Sequence, residues 1–289
     1  MRGTRFTFRQ FILVLVLVVL VFLTLLPFYG TVLSSQKTNG EILNRFWSMP
    51  DELHPDYITK AFKYIHRYIL NSLVICVCAV SGVVFLSSLS GYVFARIDFP
   101  GKRLLFMLIL SLMMVPGLLT LIPAFLWYKG FPFVGGNDWL GAGGHGFLDT
   151  RLIMIIPFIA GGQVLGIFLC RTFFETIPSS VFEAARIDGA SEFQAYWHIG
   201  LPLSLPILAT LSIMTFVGVY NDYIWPLITI GDDAIQVFSV GVTKFQGEGN
   251  LQYGPIMSGF LIGSIPLIIV FAFGMKYYVE GLTKGAIKA

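Results

Sequence analysis

Residues 183–202 read EAARIDGASEFQAYWHIGLP, a polar island between two apolar stretches. Residues 152–170 precede it and residues 203–227 follow it, and each run is near the length that spans a bilayer as a helix. The island is therefore expected at a membrane face, held between two spanning helices. It carries its own helix signals. Ser180-Val-Phe-Glu183 has the spacing of a capping box, with Pro178 just ahead. It predicts a short helix ending at Gly189, a residue type that tolerates a left-handed C-cap. Ser191-Glu-Phe-Gln194 predicts a second capped helix that stops near Gly200 and Pro202. Phe182, Ile187, Phe193, Tyr196, Trp197 and Ile199 give this segment more apolar surface than a solvated loop carries, so a partner surface is expected to cover it.

The composition agrees with a membrane location. The chain has 289 residues, 56% of them hydrophobic and 12% charged, with a mean hydropathy of +0.78; soluble domains carry about 25% charged residues. The fold class expected is an all-α integral membrane protein, a single transmembrane domain over residues 1–289. A net charge of +3 is too small to point to nucleic acid. Cys76, Cys78 and Cys170 all lie in apolar runs and read as small packing residues. No phosphate loop, HExxH, paired-carboxylate or nucleophile pattern occurs, so no catalytic or metal-ligating residue is assigned, and the chain has no means of hydrolysing ATP alone.

Along the chain, six spans are expected at about residues 11–33, 69–94, 104–127, 152–170, 203–227 and 255–277, with the island loop at 178–202. The first run follows three arginines and resembles a signal peptide, but it is long and lacks a small-x-small cleavage site, so it reads as an uncleaved span. Residues 34–68 form a polar loop whose second half, Tyr57–Tyr68, has helical apolar spacing and reads as an interfacial helix. Gly82, Gly91 and nearby serines in span two favour close helix approach. Pro116-Gly117 and Pro123 break span three, which needs neighbouring groups to satisfy the freed backbone. Gly141, Gly143 and Gly146 imitate a dinucleotide fingerprint by letter only, because they lie between two spans. His145 reads as a loop residue. Six spans put both termini on one side. A weak excess of lysine and arginine on the N-terminus, residues 95–103, the island and the tail places those faces in the cytoplasm.

The island also resembles a known family. Glu183-Ala184-Ala185, three residues, Gly189, nine residues, Ile199, one residue and Leu201-Pro202 match the EAA loop of binding-protein-dependent ABC importer permeases, most closely the carbohydrate-uptake, maltose-type branch. The ending GLTKGAIKA is similar to that family's C-terminal tail. The resemblance implies that the loop is a coupling helix docking into a cleft of an ATPase subunit. It assigns ATPase coupling to Glu183, Ala184, Ala185, Asp188, Gly189, Ile199, Leu201 and Pro202. It also implies a second homologous permease chain, two ATPase subunits that hold ATP-Mg, an external solute-binding protein, and a place in the plasma (inner) membrane of a bacterium or archaeon. The function it implies is a permease subunit forming the path for a sugar or sugar-like solute.

Two other functions compete. A secondary transporter carries ionisable groups near the midplane and internal repeats; no span here has an acid or base at its centre. A membrane scaffold explains the hydrophobicity and leaves the spacing of the island without a reason. For the solute path or gate, the candidates are Gln163, Asn221, Asp222 and Trp225, beside Tyr223. Helix–helix hydrogen bonding for Gln163 and an interfacial belt for Tyr223 and Trp225 are the plainer readings.

Overall fold

The computed structural model describes residues 8–244 and 252–286. Arg2, Arg5 and the last three residues of the basic tail lie outside that range. Among the described residues the chain is helical, with no strand. Its helices are α1 (Phe8–Ser34), α2 (Asn39–Asn44), α3 (Pro55–Arg96), α4 (Lys102–Leu112), α5 (Gly117–Lys129), α6 (Leu152–Thr176), α7 (Ser179–Ile187), α8 (Glu192–Ala195), α9 (Leu201–Leu203), α10 (Leu205–Asn221), α11 (Ile224–Thr229), α12 (Phe238–Lys244) and α13 (Tyr253–Ala286). Among the described residues four helices are long and apolar enough to cross a membrane: α1, α3, α6 and the Tyr253–Tyr277 part of α13. The number rises to six if each of two sharply bent pairs is one span.

The chain divides into two compact units. The first holds Met1–His66 and Val242–Ile265. Its long helix α1 is apolar around its circumference, and only Gly30, Leu33 and Ser34 at its end are buried. The polar loop that follows is folded by two charged side chains. Lys37, fully buried, donates from Nζ to the carbonyls of Arg45 at 2.8 Å and Phe46 at 2.7 Å. Glu41 closes a capping box with Thr38 and accepts from the backbone N–H of Asp51 at 2.7 Å. The Asp51 N–H and the Thr38 hydroxyl hold the Glu41 carboxyl down to about 2. Tyr57–Tyr68 is helical as expected and runs without a break into the rest of α3.

The second unit holds Arg67–Gly241 and Pro266–Ala289. Its centre is the pairing of α3 with α6. A Cβ on Gly91 would collide with Cys170 and the backbone of Arg171, and one on Gly166 would collide with Ser87. Small residues thus let these two helices touch backbone to backbone, as expected of membrane helices. The contacts Gly82–Ile159, Val83–Gly162, Ser87–Gly166 and Gly91–Cys170 rise together in number, so α3 and α6 run in the same direction. Leu211 meets Gly166, and the Trp225 indole donates to the Ile153 carbonyl at 2.8 Å, so α10 runs against them. Ile213 meets Gly274, and Thr210 bonds the Tyr277 carbonyl, so α13 runs against α10. One end of this unit therefore gathers Arg96, Thr176 and the island. The opposite end gathers Asn71, Arg151, Ile153 and residues 222–241.

Several expectations need correction. The stretch expected as span three is broken at Pro116-Gly117 as foreseen, with α4 and α5 meeting at 99° because the Pro116 ring bars a continuous helix, but Pro123 makes no break and lies inside α5. Residues 203–227, expected as one helix, hold α10 up to Asn221 and then α11 as a separate short helix after Asp222. The second island helix does not stop near Gly200 and Pro202. It continues through a wide turn at Tyr196–Gly200 into α9, and the direction changes by 73° only at Ser204. A proline inside a regular helix clashes with the carbonyl four residues back. Here the wide turn directly before Pro202 absorbs that conflict.

Candidate functional site

The island is built outward from Tyr92 on α3. Its ring meets Phe174 of α6 edge-on at 5.5 Å, Phe182 of α7 at 5.8 Å and Tyr196 at 5.3 Å. Such contacts contribute about 0.5–1.5 kcal/mol each beyond the area they bury. The Ser88 and Tyr196 hydroxyls bond at 2.8 Å, and the Tyr92 hydroxyl donates to Glu192 at 3.2 Å. Arg96, at the end of α3, lies 4.5 Å over the Phe182 ring and donates to the carbonyls of Phe174 and Ile177. It thereby caps the end of α6 where the island begins. These anchors were missed by reading the island alone. The available signal was one arginine closing span two, one helical turn after a tyrosine.

Within the island, the two predicted capping boxes fare differently. Ser191 caps α8 as expected, accepting from the Gln194 N–H while Gln194 accepts from the Ser191 N–H at 2.8 Å. The box at Ser180 is absent. The helix starts two residues earlier, at Ser179 with Pro178 at the cap, so Ser180 is already inside the helix and its hydroxyl has no free N–H to take. Glu183 is exposed and makes no hydrogen bond or ion pair among the described residues. Gly189 behaves as expected, at φ +85°. Its N–H reaches the Arg186 carbonyl at 3.0 Å, and the Ala190 N–H reaches the Ala185 carbonyl at 2.9 Å. That pair of bonds is the Schellman closure. No atom lies within 4 Å of where a Gly189 Cβ would stand, so the demand for glycine comes from the backbone and not from crowding.

The apolar side chains of the island divide into two sets. Phe182 and Tyr196 are each 1% exposed and belong to the anchor, which corrects their placement on a partner surface. Ile187 (86% exposed), Phe193 (63%) and Trp197 (47%) stay on the outside. Phe193 and Trp197 stack at 6.2 Å, while Ile199 and Leu201 are half-buried against the core. Ala185 is buried, whereas Ala184, Asp188 and Pro202 are exposed. A groove of ≈380 Å³ opens between Gly189 and the segment bearing Gln194 and His198. Arg186 donates from Nε to Glu192 at 2.7 Å, linking α7 to α8. That bond holds the Glu192 carboxyl below its usual range and raises the guanidinium. The segment thus presents an acidic-and-apolar surface at one end of the second unit.

The solute-path candidates lie elsewhere. Gln163, half-way along α6, accepts from the Ser87 hydroxyl at 3.0 Å and bridges α6 to α3. Trp225 is buried and spends its indole N–H on Ile153. Asp222 sits at the break between α10 and α11, and its carboxylate accepts from the Trp225 N–H at 3.4 Å. Asn221 is exposed and bonds back to the Val217 carbonyl. Beside them, α6 and α10 enclose an apolar groove of ≈370 Å³ lined by Gly161, Leu165, Met214 and Gly218, which sequence reading missed. At the same end as Asp222, the glycine-rich residues 128–151 form a turn system with no strand before it, which removes the dinucleotide reading. His145 bonds only within this loop, to the Leu148 carbonyl. Among the described residues no group of three or more histidine, cysteine or acidic side chains is placed to hold a metal.

Known proteins agree with this architecture. Residues 84–284 match the family described as "Binding-protein-dependent transport system inner membrane component". The trehalose/maltose transport system permease protein MalG of Thermococcus litoralis is 31% identical, over 76% of this chain and 75% of its own length. The arabinooligosaccharides transport system permease protein AraQ of Bacillus subtilis is 28% identical over 98% of each chain. The diacetylchitobiose uptake system permease protein NgcG of Streptomyces coelicolor is 27% identical over 92% of this chain and 85% of its own. Among solved structures, a bacterial ABC transporter involved in import of the acidic polysaccharide alginate shares the fold, with a TM-score of 0.77 at 21% identity, covering 96% of this chain and 100% of that one. The matched family is one of transport components, not enzymes, and the chain belongs to it: it is a binding-protein-dependent transport system inner membrane component.

Proposed function

We propose that the chain is a permease subunit of an ATP-driven importer for a sugar or small oligosaccharide, and that residues 178–204 couple it to a separate ATPase subunit. Three relatives whose names state a sugar or oligosaccharide cargo support the solute class. The observation that carries the coupling role is the island's construction. An exposed surface with Glu183, Ala184, Ile187, Asp188 and Gly189 is bolted through Tyr92 and Arg96 to the ends of α3 and α6. A push on that surface moves two long helices as one body instead of bending a loop. Ile199, Leu201 and Pro202 extend the same lever into α10. Alternating access then follows from two arrangements of these helices, with ATP closure on the partner chains biasing one of them.

Six crossings with the island in the cytoplasm are part of this reading. Because α3 and α6 run the same way, residues 97–151 must return the chain over the length of both helices, and the bent pair of α4 and α5 is the apolar material for that return. The 17 residues of α10 rise about 25 Å, close to the apolar thickness of a bilayer. On this reading Asp222 and Asn221 stand near the outer face, where a gate or a contact for the external solute-binding protein belongs. The groove of Gly161 and Gly218 lies along the path. The unburied apolar surfaces of α1, α4 and α5 suit lipid and a second permease chain.

Topology and transport are tested together. Leu140→Cys and Val181→Cys, each in a background without Cys78, are treated with a membrane-impermeant thiol reagent in intact cells. Labelling at position 140 alone is expected, and external labelling at 181 contradicts the orientation. Uptake of a sugar that binds the cognate solute-binding protein, driven by ATP in vesicles carrying all the subunits, checks the function. Uptake that follows an ion gradient without ATP contradicts it.

A further inference from the structure

The turn between α3 and α4 brings three cations into one groove. Lys102 and Arg103 open α4, and Arg171 reaches the same space from α6. The groove is wide, ≈950 Å³, and lies at the end of the second unit that carries the island. Two acids belong to it: Asp98 holds the Lys102 ammonium at 3.0 Å, and Glu175 holds the Arg171 Nε at 2.9 Å. Those pairs leave donors over. The ammonium has two further protons, the terminal nitrogens of Arg171 have no acceptor, and Arg103 makes no hydrogen bond or ion pair among the described residues. Arg171 is also held in place, with its guanidinium 3.7 Å over the Phe106 ring. The remaining wall is apolar and open. Leu104 is 60% exposed and Met107 50%, and α4 buries none of its residues.

We infer that this groove binds the headgroup of an anionic phospholipid, with the phosphate against Lys102, Arg103 and Arg171 and the acyl chains along α4. A cationic pocket and an apolar wall in one groove at the end of a spanning helix match both halves of that ligand. Free phosphate would satisfy the cations and leave Leu104 and Met107 uncovered. The inference needs α4 to lie in lipid and is independent of which solute the protein carries.

The assembled transporter, purified with its partner chains, is titrated with phosphatidylglycerol, phosphatidylcholine or inorganic phosphate, and the bound lipid is counted by native mass spectrometry. Wild type is expected to retain phosphatidylglycerol at least ten-fold more strongly than phosphatidylcholine. The double variant Lys102→Gln, Arg103→Gln should lose one retained lipid per copy of this chain. Asp98→Asn should tighten the retention several-fold, a gain that misfolding does not produce. Unchanged phosphatidylglycerol counts in the double variant overturn the proposal, as does displacement of the lipid by millimolar phosphate. Unchanged counts accompanied by loss of the ATPase subunit overturn it in favour of a protein partner for the same cations.

Discussion

The two ends of the second unit are held by different chemistry. At the island end, aromatic side chains do the fastening: Tyr92, Phe174, Phe182 and Tyr196 interlock, and one arginine caps two carbonyls. At the opposite end, polar side chains grip backbone. Asn137 bonds the carbonyls of Lys129 and Phe131 and the N–H of Gly144. The Asp149 carboxylate accepts from the N–H groups of Gly231 and Asp232, while Asn71 donates to the carbonyls of Ala234 and Gln236. Arg67 and Tyr68 both bond Asp233. Dense aromatic packing transmits displacement, because interlocked rings resist shear. Aromatic rings meet at this end too, Tyr128 with Phe147 and Trp225 and Phe131 with Phe147, but its loops are tied to one another by hydrogen bonds, and loops so held open at lower free energy. The difference suits an end that is pushed and an end that lets solute in.

Breaking the aromatic fastening should have the largest effect. Tyr92→Ala removes the ring shared by three neighbours and is expected to cost about 3–5 kcal/mol, read as a lowered thermal midpoint of the purified complex together with loss of ATPase co-purification. Normal attachment in this variant would separate the fastening from docking. Asn137→Ala tests the other end. It leaves three backbone groups without their partner, at about 1–3 kcal/mol for each one that water does not reach, and should raise hydrogen exchange over residues 128–151 while the ATPase subunit stays attached. Detachment there would erase the distinction between the ends.

Smaller effects sharpen the comparison. The Arg186–Glu192 pair is nearly half exposed, so Glu192→Gln should change stability by less than about 1 kcal/mol. Its pH dependence has a definite sign. The carboxyl is lowered in the folded chain, so its contribution is present above the ordinary glutamate value and is lost as pH falls through the lowered one. Glu192→Gln should therefore flatten the acid limb of a thermal-midpoint profile; an unchanged limb argues against the link between α7 and α8. Glu183→Gln should have the smallest effect on stability, within about 0.5 kcal/mol. The side chain caps nothing, so any loss of ATPase attachment in that variant reports docking alone.

The island was the most legible part of the chain because its signals are local. Ser191, Gln194 and Gly189 specify a cap and a left-handed turn within a few residues, and the structure has both. The Ser180 box failed for an equally local reason: a proline at the cap supplies the extended backbone that starts a helix, and it did so two residues early. The anchors were illegible because Tyr92 and Arg96 meet the island across about 80 to 100 residues of chain, and apolar periodicity carries no information about which faces meet. The clamps of Asn137, Asp149 and Asp233 were hidden in the same way, inside loops whose composition announces a turn without naming its partner. Small residues in span two did announce close packing; that they face α6 needed the structure.

The central claim is that residues 178–204 form the docking surface for the ATPase. Gly189→Val tests it most directly. The backbone there stands at φ +85° with nothing within 4 Å of an added Cβ, so a β-branched side chain strains the turn by about 1–2 kcal/mol through the backbone itself. Co-purification of the ATPase subunit with this variant, measured beside solute uptake in the same membranes, should show an inserted, stable permease that has lost the ATPase and carries no solute. Wild-type uptake with the ATPase fully attached would contradict the claim.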